Sequence, residues 1–236
     1  MSLNLPLIGT FKPGVRMTLF VAVFLPLTLV LGFWQLDRAT QKGDMQEAYL
    51  ASITQLPTAP RAQERPQDFQ RLRLTGALTD KIFLVDNQVN AGKPGYWIIQ
   101  VLAEATSGRL WLVNRGFTMQ GESRDQLPVL PVVEKPVTVV GIVWPFTGLI
   151  PLLADDVWTS QWPQRVQRLN VKKMAALTGA EPVELRLESS QWAQQPAPFV
   201  SVLDEDKNMG YAATWFALAI ALSILYLVWG TRDSRN

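Results

Sequence analysis

Two stretches of this chain are apolar without interruption, and the chain between them alternates. Residues 17–36 (MTLFVAVFLPLTLVLGFWQL) and 209–229 (MGYAATWFALAIALSILYLVW) carry no charge. A hydrocarbon layer of roughly 30 Å takes about 20 helical residues, so each run predicts one transmembrane helix. Core helices of soluble proteins rarely run so long without a polar face. Residues 37–54 continue the first helix as a polar pattern, with Met45, Ala48, Tyr49 and Ile53 near helical spacing and Gly43 weakening it. Pro57, Pro60 and Pro66 then mark a loop. The pattern turns strand-like over 69–78, 81–85, 97–102, 110–113, 136–144 and 183–187, with a hairpin turn at Thr106-Ser107-Gly108. One helix interrupts these strands, where Asn170 caps VKKMAALT and Gly179 stops it.

These elements predict an α+β membrane protein. Two transmembrane helices flank a β-rich antiparallel extracytoplasmic domain with short helices. The expected division is 1–16 as a cytoplasmic flank, 17–36 as the first span, 37–208 as the domain, 209–229 as the second span and 230–236 as a tail. Ala213, Ala217 and Ala221 form a small-residue stripe on which the first helix is expected to pack, and Pro26 predicts a kink.

Charge sets the orientation. Lys12 and Arg16 precede the first span, and Arg232 and Arg235 follow the second, so both ends are expected in the cytoplasm. The remaining 18 basic and 19 acidic residues lie in 37–208, which is nearly neutral. The first run lacks a small-residue cleavage site and reads as a retained anchor rather than a signal peptide. The flank before it is short and poor in Arg and Ser for an organellar transit peptide. The expected location is a bacterial inner membrane, multi-pass, with the central domain periplasmic. No basic stripe or stacking motif points to nucleic acid.

Chemistry is restricted by what is missing. The chain has no histidine and no cysteine, which removes the usual nitrogen and sulfur metal ligands and any Ser-His-Asp or Cys-His nucleophile. Asp155-Asp156 reads as a loop, and Asp204-Glu205-Asp206 as a solvated run beside the membrane. No glycine-rich phosphate loop is present. A non-enzymatic protein is expected, with no metal site.

More informative residues gather where the two spans reach the outer interface. Trp34, Gln35 and Arg38 end the first span, while Asn208, Tyr211 and Trp215 open the second. Aromatic belts and snorkelling arginines anchor helices at this depth. Gln35 opposite Asn208 is less well explained by anchoring, because amides there favour protein partners or a polar ligand.

Four segments carry a resemblance. Gly32-Phe33-Trp34-Gln35-Leu36-Asp37-Arg38-Ala39 resembles the G-x-W-Q-L-x-R-x motif of the SURF1 family. Leu84-Val85-Asp86-Asn87 with Pro94-Gly95-Tyr96, then Leu112-Val113-Asn114-Arg115-Gly116-Phe117, resemble its central segments. Gly210-Tyr211-Ala212-Ala213-Thr214-Trp215-Phe216 is similar to its closing G-Y-A-x-Q-W-F. The resemblance implies an assembly factor for haem-copper terminal oxidases, chiefly cytochrome c oxidase, that assists haem a insertion. Its implied partners are membrane lipid, the catalytic subunit of the oxidase and the haem a synthesis machinery. The implied cofactor-binding set is Trp34, Gln35, Arg38, Asn208, Tyr211 and Trp215, with Arg38 suited to a propionate and the aromatics to the macrocycle. Asn87, Tyr96, Asn114 and Arg115 form an implied second functional surface. The chain departs from the pattern at Asn208, where the family usually has a histidine, and at Thr214, where it favours Gln. Met209 and Tyr211 are the neighbouring side chains that could substitute as ligands. A divergent membrane scaffold or chaperone that does not bind haem is the alternative.

Overall fold

The computed structural model describes residues 3–5, 9–61, 64–121, 126–130, 133, 136–146, 148–149, 151–152, 155–188 and 205–232. The chain forms two compact units, Met1–Glu47 with Val200–Asn236, and Ala48–Phe199.

The first unit is built on α3 (Asp206–Arg232) and all but the last six residues of α1 (Val15–Ile53), which fall in the second unit. A short hairpin of β1 (Leu3–Leu5) and β2 (Gly9–Phe11) precedes them. At about 1.5 Å per residue α1 is roughly 58 Å long and α3 roughly 40 Å. Pro26 and Gly43 both lie inside α1, which stays helical through them. The charge-poor half of α1 and most of α3 are long and apolar enough to cross a membrane. Only 17% and 11% of those apolar windows are buried within the protein, whereas a soluble core helix is mostly buried.

The helices meet along a narrow seam. Val21, Thr28, Gly32 and Ala39 are buried on the stretch of α1 that runs beside α3, and Ala212 and Ala219 are buried on α3. Their spacings of four and seven are those of a helix-pair seam. The expected stripe is therefore corrected: Ala213, Ala217 and Ala221 are exposed, and Ala212 and Ala219 form the contact. Sequence gives two adjacent sets of small residues on α3, and only the partner's rotation selects between them. Gly32 is needed at this crossing because a Cβ there would lie 2.7 Å from the ring of Phe216. Phe216 also meets Phe33 edge to face at 5.3 Å.

The second unit is a closed sheet. Its strands are β3 (Arg71–Asn90), β4 (Lys93–Glu104), β5 (Leu110–Met119), β6 (Val137–Trp144), β7 (Gln164–Val166) and β8 (Glu184–Leu187). Pairing runs β3–β4–β5–β8–β6 and returns to β3, closing a five-stranded barrel, with β7 added beside the far half of β3. The purely antiparallel expectation fails at two places, since β5–β8 and β3–β7 are parallel. The long crossover from β5 to β8, through β6, β7 and the helix α2 (Val171–Thr178), delivers β8 in the same direction as β5. A four-residue strand carries no sign of its direction in sequence.

Two expected strands, 69–78 and 81–85, are one bent strand. The register shifts between Leu78 and Ile82, where side chains replace ladder bonds. Thr79 Oγ1 donates to the Val101 carbonyl at 3.0 Å, and Gln100 Nε2 donates to the Thr79 carbonyl at 2.6 Å. Such a bulge bends a strand and lets it serve two neighbours. At the other end, Ala91 (φ 48°) and Gly92 (φ 76°) supply the left-handed pair of a two-residue hairpin.

Leu72, Leu74, Leu102, Trp111, Val113, Val139, Val143 and Leu185 fill the barrel interior. The outer face of β3, β4 and β5 buries Phe83, Ile99 and Leu112 against Met174 and Ala175 of α2. That helix has the predicted caps: Asn170 Oδ1 accepts from Lys173 N at 3.1 Å, and left-handed Gly179 donates back to Ala175 at 2.8 Å. The Thr106-Ser107-Gly108 turn also forms where predicted. The Glu104 carboxylate fastens it by accepting from the N–H groups of Thr106 and Ser107 and from the Ser107 hydroxyl. Burial alone would raise the Glu104 pKa, but these hydrogen bonds prevail and hold it at about 2.

Candidate functional site

In the helix pair the structure joins two of the six implied residues directly. Asn208 Nδ2 donates to Gln35 Oε1 at 2.7 Å across the partly buried seam. Gln35 and Asn208 face each other because each follows the three- and four-residue spacing of its own seam, with Gly32 and Ala39 flanking one and Ala212 following the other.

The other four lie off the seam. Trp34 is 52% exposed and Tyr211 60%, Arg38 is exposed and Trp215 half-buried. Arg38 Nη1 donates to Gln41 Oε1 at 3.1 Å, and Gln41 Nε2 donates to Asp37 Oδ2 at 2.7 Å, so a polar ladder holds the guanidinium along α1. Helical phase, about 100° per residue, fixes the sides. On α1, Phe33 lies to one side of the seam, with Trp34 and Arg38 to the other. On α3, Phe216 lies to one side and Tyr211 to the other. Phe33 and Phe216 touch, so Trp34, Arg38 and Tyr211 share the opposite flank. That flank offers aromatic faces and one cation, suited to a flat, apolar group with an acidic edge.

Iron ligation does not fit position 208. An amide is not an ordinary haem axial ligand, and the Asn208 side chain is turned toward Gln35 by its Nδ2 hydrogen bond.

Sequence reasoning missed a second tie between the same helices. Thr18 Oγ1 and the Tyr226 hydroxyl lie 3.0 Å apart, while Phe11 of β2 packs edge to face on Tyr226 at 5.2 Å. Lys12 N donates to the Gly230 carbonyl at 2.8 Å. The signal in sequence was weak: a threonine and a tyrosine inside apolar runs are individually unremarked.

In the barrel unit, three of the four residues implied as a surface are interior. Tyr96 is fully buried against Leu84 and Ile98, with Leu127 and Leu130 packed on that cluster. Arg115 is 1% exposed, and its Nη1 donates to Gln100 Oε1 at 2.5 Å. Burial pulls its pKa below the usual arginine value. Asn114 Nδ2 donates to Glu184 Oε1 at 2.6 Å, while its Oδ1 accepts from Gly116 N at 2.9 Å. Arg186 shares the same Glu184 oxygen at 2.8 Å and lies over Trp144 at 4.0 Å and Trp97 at 5.2 Å. These groups are internal braces. The alternation Glu184-Leu185-Arg186-Leu187 could have revealed the pair, since residues two apart share a strand face.

Asn87 alone is exposed. It has φ 59° and lines a cavity of about 300 Å³ with Asp86, Asp155, Asp156, Arg165 and Gln167. Asp155-Asp156 is a loop as expected, tied to the strand after it by Gln167 N donating to Asp156 Oδ1 at 2.6 Å. Among the described residues, no group of three or more carboxylates is arranged to hold a metal ion.

Comparison with known proteins agrees with the layout. The family model described as "SURF1 family" matches residues 22–220. A SURF1-like protein of Rickettsia felis is 24% identical over 91% of this chain and 97% of its own length. A SURF1-like protein of Rickettsia conorii is 25% identical over 89% and 90%, and one of Monosiga brevicollis is 26% identical over 89% and 85%. The match takes in α1 from its apolar half, the whole barrel unit and most of α3, and the chain therefore belongs to the SURF1 family.

Proposed function

We propose that this chain is a non-enzymatic assembly factor for a haem-copper terminal oxidase, chiefly cytochrome c oxidase. In this reading α1 and α3 anchor it in a bacterial inner membrane, with both termini cytoplasmic and the barrel unit periplasmic. The observation that carries the reading is family membership across both helices and the barrel, together with helices whose large apolar side chains face outward. The partners are membrane lipid and the catalytic subunit of the oxidase, with the haem a synthesis machinery upstream. The Trp34–Arg38–Tyr211 flank is the surface offered to a haem or to the haem-bearing subunit. Deleting the gene tests this: oxidase activity and membrane haem a should fall while the oxidase subunits are still synthesised. Normal oxidase under all growth conditions would refute it.

A second reading has its own support. The Asn208–Gln35 hydrogen bond favours a chaperone or scaffold that helps the oxidase mature without ligating haem. The visible spectrum of protein purified from haem-a-producing cells separates the two. A Soret band that co-purifies supports haem handling, and a clean preparation without one supports the scaffold.

A further inference from the structure

The two hydrogen-bonded ties between α1 and α3 stand at opposite ends of the apolar span. Gln35 lies 17 residues beyond Thr18 on α1, and Tyr226 lies 18 beyond Asn208 on α3. At about 1.5 Å per residue both spacings are roughly 26 Å, close to the thickness of a hydrocarbon layer. Among the described residues, no other side-chain hydrogen bond joins the two helices between these ties; Thr28 and Ser223 bond within their own helices. Apolar packing between helices in lipid is weakly directional, so a polar pair at each end fixes rotation and register.

The outer tie bears on the flank described above. Trp34 and Arg38 flank Gln35 by one and three residues, and Tyr211 follows Asn208 by three. Turning either helix by one residue would carry those side chains through about 100° and off their common side. We infer that Gln35 and Asn208 are a positioning pair: their amide bond clamps the outer ends of α1 and α3 and so aligns Trp34, Arg38 and Tyr211. This deepens the assembly reading and rests on it for its purpose, but the clamp itself can be tested without any oxidase.

The chain has no cysteine, so pairs can be introduced without background. Phe33→Cys with Phe216→Cys reports the outer end, and Phe11→Cys with Gly230→Cys the inner end, leaving the Thr18–Tyr226 tie in place. In membranes carrying the full-length protein, Asn208→Leu should slow oxidative cross-linking of the outer pair by about three- to tenfold, the range for an interhelical hydrogen bond in lipid. The inner pair should be little changed. The exchanged variant Gln35→Asn with Asn208→Gln keeps one amide on each helix and should restore the outer rate. An unaltered outer rate in Asn208→Leu, or equal slowing of both pairs, overturns the clamp. Restored cross-linking accompanied by restored oxidase assembly supports the positioning role. Restored cross-linking without any change in assembly overturns that role and leaves the oxidase reading to the deletion test.

Discussion

The two units of this protein place their large apolar side chains in opposite directions. In the helix pair, Leu19, Val23, Val30, Ile220 and Leu225 are each about half exposed or more, and the contact surface is made by Gly32, Ala39, Ala212 and Ala219. In the barrel unit, Phe83, Leu84, Ile99, Leu102 and Trp111 are wholly buried. The difference is the one that a change of solvent from water to lipid would produce. In water, burying large apolar groups is the chief stabilising term. In lipid it contributes little, so close backbone approach and a few hydrogen bonds decide association. Polar groups are therefore used differently. The barrel hides Arg115, Glu184 and Arg186 as braces, whereas the helix pair uses an amide pair and a Thr–Tyr pair to specify geometry.

The contrast is broken most severely by Phe83→Ala. Losing that ring from a fully buried site should cost about 3–5 kcal/mol, read as a lowered unfolding midpoint of the full-length protein in detergent. Leu19→Ala on the outward face of α1 should barely move the same midpoint. A comparable loss at Leu19 would mean that this face is packed against protein.

Arg71→Ala comes next. Arg71 Nε and Nη2 grip Glu188 at 2.7 Å each, and Nη1 donates to the carbonyls of Ile53 and Gln55. The hydrogen bond to Glu188 is the main reason its pKa is raised. Because the pair is partly exposed, a loss of about 1–3 kcal/mol is expected. A double-mutant cycle with Glu188→Gln should show coupling, and purely additive losses would discard the ion pair as the cause.

Glu104→Gln should cost about 1–2 kcal/mol at neutral pH. Its pH dependence is more telling. The carboxyl ionises at about 2 in the folded state against 4.5 as the reference. Its contribution is thus complete above about pH 4.5 and lost as pH falls toward 2. The gap in stability between wild type and Glu104→Gln should narrow over that window. A gap independent of pH would assign the effect to packing.

The smallest expected effect on stability is also the most local. Gly32→Ala must push the Phe216 ring aside, and should slow oxidative cross-linking of a Gln35→Cys with Asn208→Cys pair, which leaves that ring in place, while keeping the stability of the barrel within about 0.5 kcal/mol. A change in the barrel instead would show that the two units do not respond independently.

Much of this was legible from residues alone. Absence of charge over some 20 positions marked α1 and α3, because a helix in lipid needs an apolar surface of that length. Asn170 and Gly179 marked the ends of α2, since capping depends on chemistry local to the turn. Glu104, by contrast, gave no sign that it would bind its own turn. The sequence also brought Gln35 and Asn208 together correctly, as amides at matching depth in two antiparallel helices.

Other features required the folded chain. The seam could lie on Ala213, Ala217 and Ala221 or on Ala212 and Ala219, a difference of about 100° that no single helix encodes. Parallel pairing of β5 with β8 depends on the path of the chain between them, not on the composition of either strand. Tyr96, Asn114 and Arg115 look like surface chemistry in a motif, and folding buries all three, Asn114 on the outer strand face beside Glu184 and Arg186. Local chemistry and solvent-matched length are written along the chain. Rotation, strand direction and the side of the sheet a residue occupies are relations between distant segments, and only packing settles them.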